Sequence, residues 1–183
     1  AIWIGSDQQS NHTIIVEKSL FEHIADYIGD QYQSHGIYIT SDRLVYRYNY
    51  HLGGAQSGAA VRMARNVKNG CEIYYNVITG GDSYSSWGVY NANGSEHLVY
   101  NNVFYNLSRG VIQDSGPNGN GYGITVKNNI FYLKSIDHKL FDVGSNSGTF
   151  ISEYNVFVVE AGRAPTFFWD NLPVNGLANW ISS

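Results

Sequence analysis

The stretch VYNNVFYN (Val99–Asn106) returns along the chain as VKNNIFYL (Val126–Leu133) and again as SEYNVFVV (Ser152–Val159). In each copy an asparagine stands two residues ahead of a phenylalanine: Asn102, Asn129 and Asn155. The same register extends back through Asn76 (YYNVI), Asn49 (RYNYH) and Ser19 (EKSLF), so the anchors recur at a near-constant interval. A period of about 27 residues marks stacked supersecondary units, so each copy reads as one rung of a solenoid.

The rung is built of strands. Three residues before each anchor stand Val16, Tyr46, Ile73, Val99, Val126 and Ser152, and two after it stand Phe21, His51, Ile78, Phe104, Phe131 and Phe157. Both columns are mainly β-branched or aromatic, which suits inward positions on two short strands meeting at the anchor. The bend between them leaves backbone groups unpaired, and an inward Asn carries both the acceptor and the donors to satisfy them. Rungs stack roughly 4.8 Å apart, so neighbouring Asn side chains also reach one another.

A third strand recurs after a variable loop: AIWIG, HGIYIT, AAVRMA, WGVYNA, RGVIQD, KLFDVG and PTFFWD. Its inward pairs read Ile2/Ile4, Ile37/Ile39, Val61/Met63, Val89/Asn91, Val111/Gln113, Phe141/Val143 and Phe167/Trp169. The expected architecture is an all-β solenoid, a single-stranded parallel β-helix of about seven rungs with three short strands each and an asparagine ladder. It is expected to occupy residues 1–183 as one domain.

Composition agrees. The chain of 183 residues is 43% hydrophobic and 14% charged, with 20 glycines, 3 prolines and 15 tyrosines, a balance that favours strands and turns. A net charge of −4 offers no basic footprint for a phosphate backbone, so nucleic acid is not expected as a partner. No apolar run approaches the roughly 20 residues of a membrane span. Cys71 stands alone and cannot form an intramolecular disulfide.

The repeated pattern of apolar, variable, Asn, Asn, variable, Phe, alternating with HGIY-like and WGVY-like strands, resembles the right-handed β-helices of the pectate lyase superfamily. The resemblance covers Ile2 to about Trp169. It implies a right-handed coil, an Asn ladder at the turn between the second and third sheets, and an extracellular or cell-surface setting. Against that family, AIWIG reads as part of a rung whose earlier strands are missing, and LPVNGLANWISS (172–183) resembles a helical segment leading into more chain. The sequence is therefore read as an excerpt of a longer protein.

Polysaccharide-acting members of the superfamily hold sugar along the outer face of the first sheet. The outward column of the third-strand set is Trp3, Tyr38, Arg62, Tyr90, Ile112, Asp142 and Phe168. Aromatic faces can stack on sugar rings, and an Arg among them can pair with a uronate carboxylate. Trp3, Tyr38, Arg62 and Tyr90, with Asn91 and Asn93 beside them, are the candidate substrate contacts. Neighbour stacking within the sheet is the competing explanation of the aromatics.

For a lyase, Arg62 is the candidate that neutralises the uronate carboxylate, and Arg65 or His35 is the candidate base. For a hydrolase, Asp114 and Asp142 fall on adjacent rungs and are the candidate carboxylate pair, which must lie about 5 to 10 Å apart. Lyase chemistry is favoured over hydrolysis, and a non-catalytic adhesin or tailspike-like glycan-binding module is the alternative. No metal ligands are assigned. Calcium stays open, since a site needs roughly six oxygens and no clustered acidic loop is present.

Other features read as structural. Glu17 neighbours Arg47 and Lys127 neighbours Glu153 on an outward column completed by Tyr74 and Tyr100, the pattern of a solvated sheet. His51 interrupts the Phe column and reads as a satisfied interior or loop histidine rather than a catalyst. Cys71 reads as a small core residue.

Overall fold

The computed structural model describes residues 2–4, 12–22, 35–40, 43–52, 58–64, 67, 69–80, 86–92, 94–114, 123–134, 139–144, 148–160, 165–169 and 172–175, the side chains of Trp3, Val174 and Asn175 excepted. The described strands visit three parallel sheets in rotation. The first sheet holds β1 (Ile2–Ile4), β4 (Ile37–Ile39), β7 (Gly58–Met63), β10 (Ser86–Asn91), β13 (Arg109–Gln113), β16 (Lys139–Val143) and β19 (Thr166–Trp169), in that spatial order. The second holds β2 (Thr13–Glu17), β5 (Arg43–Arg47), β8 (Glu72–Tyr74), β11 (His97–Tyr100), β14 (Ile124–Lys127) and β17 (Phe150–Glu153). The third holds β3 (Leu20–Glu22), β6 (Tyr50–Leu52), β9 (Val77–Thr79), β12 (Val103–Tyr105), β15 (Ile130–Leu133) and β18 (Val156–Val159). The chain is a parallel β-solenoid with three strands per rung.

The corner between the second and third sheets is two residues long, and its geometry is the same on every rung. Lys18, Tyr48, Tyr75, Asn101, Asn128 and Tyr154 all have φ between 53° and 56°, the left-handed region that costs a side-chain-bearing residue roughly 1–2 kcal/mol. The next residue is the ladder position, where side-chain hydrogen bonds offset that strain. Asn76 Oδ1 accepts from the backbone N–H and Nδ2 of Asn49, and Asn102 Oδ1 accepts from the same two groups of Asn76. Asn129 and Asn155 continue the series, and Ser19 opens it by donating its backbone N–H to Asn49 Oδ1. Each of Asn76, Asn102 and Asn129 also donates to carbonyls on its own and the preceding rung, for example Asn76 to Tyr74 and Tyr46.

The interior is filled by the expected columns. Ile37, Ile39, Val61, Met63, Val89, Val111, Phe141 and Val143 from the first sheet meet Tyr46, Ile73, Val99 and Val126 from the second and Ile78, Phe104 and Phe131 from the third, all fully buried. Phe104 and Phe131 stack at 4.7 Å and Phe131 and Phe157 at 5.6 Å, so the Phe column is continuous across its last three rungs.

Two expectations need correction. About four turns are fully closed, not seven: those whose corners Asn49, Asn76, Asn102 and Asn129 are at most 3% exposed. The strands β1, β2, β3, β17 and β18 at either end have a neighbour on one side only, so Val16, Ser19, Ser152, Asn155 and Phe157 are half-buried and Ile2 is exposed. The second correction concerns LPVNGLANWISS, whose first four residues are not helical. They form β20 (Leu172–Asn175), antiparallel to β19. Pro173 lacks a backbone donor, and an outermost strand is where a sheet tolerates that. Residues 176–183 lie outside the described residues.

Candidate functional site

The three outer faces differ in kind. On the third sheet Leu20, Tyr50, Val77, Val103, Ile130 and Val156 form one register line without a charge. On the second sheet two ion pairs close, Glu17–Arg47 at 2.6 Å and Arg43–Glu72. Lys127 and Glu153 lie side by side there without closing an ion pair. Its tyrosines and those of the adjoining corner stack rung on rung, Tyr74 on Tyr100 at 4.8 Å and Tyr48 on Tyr75 at 5.3 Å, so ring faces meet ring faces.

The first sheet gathers the candidate residues. Its outward column is a single register line, Trp3, Tyr38, Arg62, Tyr90, Ile112, Asp142 and Phe168, as the spacing predicts. Arg62 is held between two rings, its guanidinium carbon 5.3 Å from the Tyr38 centroid and 4.9 Å from that of Tyr90. The inner ring faces are therefore taken by a cation, and an incoming ligand would meet the edge of the guanidinium.

That edge faces a histidine. Arg62 Nη1 lies 2.9 Å from His35 Nε2, while the other ring nitrogen of His35 accepts the Ala59 backbone N–H at 3.0 Å. Both neighbours of the ring are pure donors, and an imidazole carries at least one proton of its own. In either neutral tautomer one of the two contacts sets donor against donor, and in the cation both do. Burial, and then the Arg62 charge, bring the His35 pKa down to about 4. Arg62 Nε is also buried without a hydrogen-bond partner.

The carboxylates are engaged. Asp114 accepts the Tyr90 hydroxyl at 2.7 Å, and burial followed by that bond raises the Tyr90 phenol above its ordinary value. Asp142, with its side chain 12% exposed, is paired with Arg109 at 3.0 Å and Lys139 at 3.4 Å. Arg109 lies over Trp87 at 5.2 Å and Lys139 over Phe168 at 3.6 Å.

No family model, no curated protein and no solved structure matches the chain.

Of the expected site residues, the structure brings His35, Tyr38, Arg62, Tyr90 and Asp114 together and sets Asp142 further along the same wall. Trp3 holds the expected register, its side chain lying outside the described residues, as do Arg65 and Asn93. Asn91 is fully buried in the inward column with Val89, so a ligand on the outer face would not reach it. His51 is interior as expected but not satisfied: both ring nitrogens are buried without a partner, the ring stacks on Phe21 at 5.6 Å, and burial brings its pKa to about 4. Among the described residues no cluster of His, Cys, Asp and Glu is arranged to hold a metal ion.

Trp87, Arg109 and Lys139 were not anticipated. Each stands three residues before an outward position, where strict alternation would turn it inward. Glycine and a bulge break the alternation. A Cβ at Gly88 would sit 2.4 Å from the Gly110 carbonyl oxygen, and the register shifts between Lys139 and Phe141. The available signal was Trp or Arg directly before Gly in WGVY and RGVI.

Proposed function

We propose that the outer face of the first sheet binds an acidic polysaccharide through the carboxylates of its sugars. One observation carries this reading: the His35 ring stands between two donors, Arg62 Nη1 and the Ala59 N–H, and cannot accept from both. A carboxylate meeting the outer edge of Arg62 would accept from the guanidinium, giving the cation a charge-assisted bond in place of its contact with the buried imidazole. The Tyr38 and Tyr90 rings hold the guanidinium plane in place, so little side-chain entropy remains to be lost on binding.

The same reading takes the chain as a right-handed, extracellular β-helix of the pectate lyase kind. The sequence pattern supports the family, and the near-universal right hand of crossovers between parallel strands of one sheet supports the coil.

Affinity electrophoresis against polygalacturonate and a neutral glucan tests the function. The protein should be retarded by the acidic polymer only, and Arg62→Ala should weaken that retention by about tenfold or more, the equivalent of one charge-assisted bond. Equal retention of the variant would remove Arg62 from the site.

β-Elimination is the second reading, favoured by the contact between Arg62 and an imidazole kept unprotonated. A base with a pKa near 4 is weak for abstracting a carbon-bound proton at neutral pH, so binding is the stronger conclusion. An unsaturated product absorbing in the near ultraviolet would establish the lyase. Reducing ends released without it would establish a hydrolase, for which Asp114 and Asp142 would first have to leave their present partners.

A further inference from the structure

We propose that Arg109 and Lys139 form a second anion seat on the same wall, and that the charge pattern between the two seats selects polymers whose acidic groups are separated by uncharged sugars. This inference rests on the acidic-polysaccharide reading and specifies its substrate class. At the second seat two cations share the single carboxylate of Asp142, leaving one positive charge in excess. Arg109 and Lys139 side chains are 34% and 26% exposed, against 12% for Asp142, so the cations and not the carboxylate face solvent. Trp87 and Phe168 back the two cations much as Tyr38 and Tyr90 flank Arg62.

In register, Arg109 stands two rungs from the rung of Arg62 and Lys139 three. By strand spacing the two seats are roughly 10 to 14 Å apart along the solenoid, longer than one sugar unit. The β10 rung between them, SWGVYN, carries no cation. Asp114, one residue past β13, reaches it through its bond to the Tyr90 hydroxyl. A polymer with a carboxylate on every unit would bring one of them against Asp114, and like-charge contact discriminates against that ligand. A polymer with neutral units between its acidic ones would place charge at both seats and a hydroxyl-bearing ring opposite Asp114.

Three probe polymers separate the possibilities: polygalacturonate, an unsulfated alternating copolymer of glucuronate and N-acetylhexosamine, and a neutral glucan. The alternating copolymer should bind about tenfold tighter than polygalacturonate, one unfavourable charge contact being avoided. Arg109→Gln should weaken the alternating copolymer while thermal unfolding shows the fold retained. Asp114→Asn, which keeps an acceptor for Tyr90, should improve polygalacturonate binding selectively and narrow the difference. Equal or tighter binding of polygalacturonate by the parent, or an unchanged ratio in Asp114→Asn, overturns the proposal and leaves acidic-polymer binding intact. Failure to bind either acidic polymer overturns both.

Discussion

Asn129 Oδ1 accepts two bonds from Asn102 at once, from its backbone N–H at 2.9 Å and from its Nδ2 at 3.0 Å. The relationship repeats from Asn49 to Asn155 and ties each corner to the next. It also satisfies the amide left unpaired where the chain turns through a left-handed residue.

Replacing Asn102 by Leu removes the acceptor of the Asn76 amide and the donor to the Ile73 and Tyr100 carbonyls in one step. The buried corner should lose about 1–3 kcal/mol for each group left unsatisfied. Urea denaturation of Asn102→Leu should show a lower midpoint, and a midpoint equal to the parent's would remove the ladder from the account of stability.

Acid should destabilise the fold through two histidines. His35 and His51 titrate near 4 in the folded chain, against about 6.5 for an unperturbed imidazole. Below about pH 6.5 the unfolded chain takes up protons that the folded chain refuses. Their contribution is therefore whole above about pH 6.5 and falls as the pH drops toward 4, by up to about 3 kcal/mol per histidine. His51→Leu should flatten the pH dependence of the denaturation midpoint between those limits and, by removing two unpaired buried nitrogens, raise it at neutral pH.

Gly88→Ala should be costly, since its Cβ would meet the Gly110 carbonyl oxygen at 2.4 Å and the Phe104 ring at 2.9 Å. Backbone cannot yield as a flexible side chain can. A loss of about 1–3 kcal/mol, read from thermal or chemical unfolding, is expected.

Cys71 should be unreactive in the folded chain. Its thiol is buried, its sulfur accepts the Leu44 N–H at 3.2 Å, and burial raises its pKa to about 11. Iodoacetamide at mildly alkaline pH should label it only after denaturant is added, and rapid native labelling would contradict the burial.

Arg62→Lys separates charge from shape. Lysine keeps the cation but cannot lie flat between Tyr38 and Tyr90 or offer a planar fork. Its affinity for polygalacturonate, by calorimetry, should fall between those of the parent and Arg62→Ala. Parity with the parent would show that the two rings contribute nothing to recognition.

The column Tyr38, Arg62, Tyr90 was legible in the sequence because alternation along regular strands fixes which side chains share a face. Trp87, Arg109 and Lys139 were not, because Gly88 and the bulge after Lys139 interrupt that alternation. Asn91 was legible as an inward residue, and its assignment as a ligand contact gave way to that burial. The left-handed corners were hidden for another reason: Tyr48, Tyr75 and Tyr154 carry no local preference for positive φ, and bonds to neighbouring rungs accompany that conformation.

The sequence by itself determined the coil. A near-constant period with a polar side chain at each corner leaves the chain one economical way to pair its backbone, which is to stack each rung on the last. What only the tertiary structure decided was the state of each charged group: His35 set against Arg62, Asp114 bonded to Tyr90, and Asp142 shared by two cations. Those states depend on distances between side chains from different rungs, and no residue's identity or spacing fixes how its neighbours one turn away will meet it.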